Sequence, residues 1–171
     1  IDGSNAKDFD DAVYAEERSD GYLLYVAIAD VSEYVLQDSS LDKEALSRAT
    51  SVYFEKKVIP MLPELISNKL CSLRPNEDKL VLTCEIYLDG EGEIKSYEFF
   101  NSVICSKNRL TYDEVEKFYQ KGQTALSDDI VSNLNALKKI HALRRKIREE
   151  RKAIDFYLPE YRPVGKDNKI I

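Results

Sequence analysis

The sequence predicts an α+β protein, an antiparallel β-sheet packed against helices. Three observations carry this reading. Apolar residues run almost continuously over 22–30 and alternate with a period of two over 79–88. Turn chemistry joins successive runs directly, so neighbouring strands run antiparallel. The longer helices, with their start signals, gather after the last strand of the sheet.

Residues 12–16 and 22–30 predict a hairpin joined through Ser19-Asp20-Gly21. The second run, Tyr-Leu-Leu-Tyr-Val-Ala-Ile-Ala-Asp, is almost continuously apolar and suits a central strand. Residues 41–49 predict a short helix begun by Ser39 or Ser40. Pro60 and Pro63 bracket an extended segment expected to cover one side of the sheet, and a brief helix follows over 64–70. Residues 79–88 alternate as a strand with Leu80, Leu82, Cys84, Ile86 and Leu88 on one face. Asp89-Gly90-Glu91-Gly92 turns the chain, and 93–106 returns. Thr111 and Glu114 have capping-box spacing and start a helix to about Lys121. Ser127, with Asp128 and Asp129, starts a longer helix to about Lys152. Ile154 to Phe156 reads as extended, and Pro159 and Pro163 break the tail.

The 171 residues are 43% hydrophobic, which supports one domain with a sizeable core and excludes a mainly disordered chain. No apolar run approaches the ~18–20 residues of a membrane span. No secretory segment opens the chain, and the missing initiator Met reads as a piece of a longer protein. Cys71, Cys84 and Cys105 lack metal-site spacing and read as reduced thiols packed in the core of a cytoplasmic protein. His141 is the single histidine, which excludes His-based zinc sites and His-dependent triads within the chain.

Charge is unevenly spread. The net charge is −6, yet Lys138 to Lys152 carries eight basic side chains against Glu149 and Glu150. Arg144, Arg145, Arg148 and Arg151 in that stretch are either a solvated helix end or contacts for an RNA backbone. At the other extreme, Asp2, Asp8, Asp10 and Asp11 crowd the first eleven residues. In extended chain Asp8 and Asp10 face one way and Asp11 the other; a bend near Phe9 would bring them together, with Asp2 returning through Gly3. Such crowding calls for a cation or for protonation. All-oxygen donors select Mg2+, with Mn2+ as substitute, over zinc. The alternative is a solvated acidic loop without chemistry. The spacing excludes an EF-hand.

Ile-Asp-Gly-x-x-Ala-Lys-Asp-Phe-Asp-Asp-Ala closely resembles the signature opening the RNB catalytic domain of the ribonuclease II/ribonuclease R family. Four further stretches resemble the same domain in the same order. They are residues 26–32, 50–54 with 58–63, 65–73, and Arg109-Leu-Thr-Tyr with the later Arg-Glu-Glu-Arg. The wording leans toward the ribonuclease R type. The resemblance implies a hydrolytic 3′-to-5′ exoribonuclease that releases nucleoside 5′-monophosphates from single-stranded RNA. It makes Asp2, Asp8, Asp10 and Asp11 the Mg2+ ligands and catalytic acids. Loss of Asp10 is expected to stop chemistry and spare RNA binding. It also implies that Tyr53 and Phe156 clamp the terminal bases. Without it, Phe156 reads as a core residue and Tyr53 is undecided.

Ser4, Glu33, Glu55 and Lys152-Ala153 depart from the family's pattern, bearing on the clamp rather than on the four aspartates. On this resemblance residues 1–171 are one partial domain, the front half of the catalytic domain. Its later half, with an arginine for the scissile phosphate, and the flanking OB-fold RNA-binding domains lie elsewhere. The piece alone is then expected to bind metal weakly and degrade RNA poorly. The rival reading is a non-catalytic RNB-fold RNA-binding or scaffold protein.

Overall fold

The computed structural model describes residues 1–54, 57–122 and 125–156, with the backbone of two short strands at 165–166 and 169–170. Glu55, Pro159 and Pro163 fall outside the described residues. Strand β1 (Asp11–Arg18) pairs antiparallel with β2 (Gly21–Ala29), β2 with β5 (Asp78–Asp89), and β5 with β6 (Ile94–Cys105). The α+β expectation holds, and β2 is interior as its apolar run required. Gly21, at φ +152°, turns β1 into β2; a Cβ there would lie 2.0 Å from the Leu88 carbonyl oxygen, so no side chain fits.

Helix α1 (Ser40–Arg48) starts at Ser39, whose hydroxyl accepts the Asp42 N–H at 3.1 Å. The proline-bracketed segment covers the sheet less than expected, reaching its buried face through Leu62. Strands β3 (Val52–Tyr53) and β4 (Val58–Ile59) pair only with each other, and Leu62 alone of this segment packs against the core. The expected brief helix is one π-helical turn, Ile66–Leu70. The buried Lys79 ammonium closes it by donating to the Lys69 carbonyl at 2.6 Å and pairing with Glu77 at 2.9 Å.

Helix α2 (Tyr112–Lys121) has both bonds of the Thr111–Glu114 capping box and ends at Gly122 in left-handed conformation. Helix α3 (Asp128–Glu150) begins at Ser127, although that hydroxyl makes no capping bond. Residues 154–156 join no strand; Asp155 instead pairs with Arg148 at the end of α3. Two-residue strands β7 (Gly165–Lys166) and β8 (Lys169–Ile170) pair with each other.

The sheet is buried on opposite faces at its two ends. Leu80, Leu82, Cys84, Ile86 and Leu88 do share one face, but only its far end is covered: Leu88 is 5% exposed and Leu82 44%. There α3 packs through Ala136 and Ile140 onto Ala15 and Leu88. At the other end the opposite face is buried, where Ala27, Ala29 and Val81 meet Ile66, Cys71 and Leu73. Edge strand β6 is exposed along most of its length, with Tyr97 and Phe99 open to solvent, so Cys105 at its end is exposed rather than packed. Cys71 is buried, and burial pushes its thiol up.

Hydrogen bonds fasten helix α3 to the sheet near its start and further along. Asn133 Oδ1 accepts the outward-facing N–H of Ala15 on edge strand β1 at 2.9 Å. Further along, Arg144 donates to the Gly92 carbonyl at 3.0 Å, where a Cβ on Gly92 would lie 2.6 Å from Leu143 Cβ. No helix among the described residues is long and apolar enough to cross a membrane.

Candidate metal and RNA site

The acidic segment is pinned through its backbone. Asp2 donates to the Leu110 carbonyl (3.1 Å) and accepts from the Tyr112 N–H (3.2 Å), bridging to the start of α2. Arg109 donates to the carbonyls of Gly3 and Ser4, each at 3.0 Å, and its guanidinium lies 4.8 Å from the Phe9 ring centroid. Ser72 Oγ donates to the Lys7 carbonyl (2.9 Å) and accepts the Phe9 N–H (3.2 Å). Leu73 donates to the Phe9 carbonyl at 2.7 Å, and Ala29 to the Asp10 carbonyl at 2.8 Å. Phe9 turns inward onto the core, while its neighbours Asp8 and Asp10 are exposed.

The four aspartates divide. Asp2 and Asp11 line a cavity of about 910 Å3 that also takes in Tyr25, Thr83, Phe100 and Arg109. Asp8 and Asp10 stand outside that lining. The Asp8, Asp10 and Asp11 carboxylates have no hydrogen bond or ion pair among the described residues, and Asp2 accepts only the adjacent Gly3 N–H at 2.9 Å. Donor chemistry fits a hard divalent cation: four short, anionic oxygen donors, three of them without a partner among the described residues. The side chains themselves are open. Among the described residues no three Asp, Glu, His or Cys groups come together so as to hold an ion.

In the cavity wall, Thr83 and Ser102 hydroxyls share a 2.7 Å hydrogen bond. The Tyr25 phenol is pushed up to about 12, first by its hydrogen bond to Glu85 and then by burial. Tyr53, on β3, is 70% exposed and Phe156 80%, so both rings present open faces. For Phe156 this departs from the core position its apolar character alone would suggest, because no described segment packs over it.

The basic end of α3 is largely engaged. Arg144 holds the Gly92 turn, Arg145 pairs with Glu149 at 3.1 Å, and Arg148 pairs with Asp155 at 2.7 Å. Lys138 lies over the Tyr119 ring and Lys139 pairs with Glu17. Arg151 is exposed at the helix terminus. Sequence reasoning missed Ser72, Asn133 and the anchoring role of Arg109. The first and last lie in stretches that resemble the family, but nothing local marks a serine or arginine as a tether.

The RNB domain model matches residues 1–171. Ribonuclease R of Acidithiobacillus ferrooxidans is 48% identical over 158 residues, covering 91% of this chain and 36% of that protein. The structure of Mycoplasma genitalium RNase R in complex with ribose methylated single-stranded RNA superposes with a TM-score of 0.92 at 37% identity, over 98% of this chain and 26% of that one. A yeast pseudonuclease, 22% identical with a TM-score of 0.69 over 82% of this chain and 17% of its own, shares the fold. The chain therefore spans roughly a third or less of the length of these relatives.

Proposed function

The chain belongs to the RNB domain family, and from that premise we propose that it carries the metal-binding and base-holding part of a hydrolytic 3′-to-5′ exoribonuclease acting on single-stranded RNA. One observation supports this above the rest: the fold bonds the backbone at Asp2, Lys7, Phe9 and Asp10, and leaves three of the four carboxylates without a protein partner. A solvated acidic loop would leave its carboxylates equally free; the pinned backbone beneath them, in a chain of the RNB family, is what favours an ion site.

In this reading Asp2, Asp8, Asp10 and Asp11 hold Mg2+, which Mn2+ replaces. When bound, such a cation polarises a phosphodiester and lowers the pKa of a water, supplying the hydrolytic chemistry that ends in nucleoside 5′-monophosphates. The protein's own part is placement. The Ala29–Asp10 bond sets where the segment enters β1. Tyr53 and Phe156 offer stacking faces for terminal bases, worth ~1–3 kcal/mol each whatever the base. Arg151 and the exposed portions of Arg145 and Arg148 are the remaining candidates for phosphate contacts; Arg144 is tied to the β5–β6 turn.

The open arrangement of the carboxylates favours a second reading, a non-catalytic RNA-binding member of the family. Thermal unfolding with Mg2+ or Mn2+ separates the two. An ion at a hundred times its dissociation constant should stabilise the fold by about 2.7 kcal/mol. The same gain in Asp10→Asn, or none in the unaltered chain, would count against the ion site.

A further inference from the structure

Asp8 is held in an unusual way, since the peptide groups on both sides of it end on one buried atom. The Lys7 carbonyl accepts from Ser72 Oγ at 2.9 Å, and the Phe9 N–H donates to the same oxygen at 3.2 Å. Ser72 is 0% exposed. A hydroxyl is the smallest side chain that donates and accepts through a single atom, so it can close this pair in a space that admits nothing longer.

The hydroxyl is itself firmly mounted. Its neighbours Cys71 and Leu73 are buried against Ala27, Ala29 and Val81 of β2 and β5. Behind it, the π-helical turn is closed by Cys71 N–H on the Ile66 carbonyl at 2.9 Å and by the Lys79 ammonium on Lys69. A continuous path of packing and hydrogen bonds thus runs from the sheet through Ser72 to the backbone on either side of Asp8. The carboxylate beyond that backbone is exposed and unpartnered.

We propose that Ser72 is a positioning residue for the divalent cation, fixing the Asp8 backbone so that its carboxylate is presented to the ion. This rests on the ion-site reading above. Ser72 touches neither ion nor RNA; it acts through Asp8.

The test is Mn2+ binding to the 171-residue chain, followed by the loss of the free-ion paramagnetic resonance signal, with amide exchange at Phe9 as a metal-free readout. Ser72→Ala should weaken Mn2+ binding about tenfold, the lower end of what supporting hydrogen bonds contribute to metal sites, and should speed exchange at Phe9. Ser72→Thr keeps the hydroxyl while crowding the site, so it should lower the melting temperature without weakening Mn2+ binding, which separates positioning from stability. In an Asp8→Asn background Ser72→Ala should have no further effect on the ion. Should Ser72→Ala not fold, Ser72→Cys replaces it; its weakly bonding thiol should weaken Mn2+ binding in the same direction by less, and an unchanged affinity would sink the proposal. Wild-type affinity in Ser72→Ala, or an equal loss with and without Asp8, overturns the role of Ser72 alone. Absence of Mn2+ binding in the unaltered chain overturns the ion site with it, a distinct result.

Discussion

The acidic segment and the basic end of α3 carry opposite charges, and the fold treats them in opposite ways. In residues 2–11 the backbone supplies the anchoring bonds, and the Asp8, Asp10 and Asp11 carboxylates are left without a partner among the described residues. In residues 144–150 the arginine heads are spent on the Gly92 carbonyl, Glu149 and Asp155. Charge density in a sequence therefore says little about availability. A carboxylate on a pinned backbone can serve an exogenous ion; an arginine already paired must first give up its partner.

The sharpest way to break this contrast is Asp10→Asn. Mn2+ affinity should fall by more than the ~10–100-fold that loss of an outer-shell partner costs, whereas Arg148→Gln should leave it unchanged; calorimetric titration of the two variants reads the difference. Next in size is Arg144→Ala. If that side chain is a fastening rather than an RNA contact, the variant should lose about 1–2 kcal/mol in urea unfolding, with the salt dependence of RNA binding unaltered. A salt slope reduced by about one unit with stability intact would move Arg144 to the RNA side.

Thr111→Ala sharpens the acidic side. It removes the capping hydroxyl beside the Asp2 bridge and should cost about 1 kcal/mol by thermal denaturation. Amide exchange at Tyr112, which bonds the Asp2 carbonyl, should quicken with it.

The effect confined to high pH lies in the cavity wall. Tyr25 is raised from its ordinary value of 10 to about 12, so the folded state keeps a proton the unfolded chain has lost. Its contribution is whole below pH 10 and declines as pH rises from 10 to about 12. Denaturant melts across that window should show the decline, and Tyr25→Phe should flatten it.

Much of the architecture was legible in advance because its signals are local. The β1–β2 hairpin, the Asp89–Gly92 turn, the Thr111–Glu114 capping box and the Ser39 cap each depend on residues at most a few positions apart. The proline-bracketed segment was expected to cover more of the sheet than it does because nothing local distinguishes an extended run that covers a sheet from one that pairs with its own neighbour. Cys105 was misread for a related reason: an apolar strand does not announce that it is an edge.

By itself, the sequence determined the order of the four sheet strands and of the helices, the crowding of four aspartates in the first eleven residues, and the likeness to the RNB domain. Tertiary structure decided which face of β5 is buried at each end, since that depends on where Leu73 and Ala136 arrive from distant parts of the chain. It also decided that Asp2 and Asp11 share a cavity while Asp8 and Asp10 stand outside it, and that Ser72 and Arg109 hold the segment between them. Those tethers join residues 65 and 106 positions apart. Periodicity and capping rules act over a turn or two of chain, so bonds of that span exist only once the chain has folded.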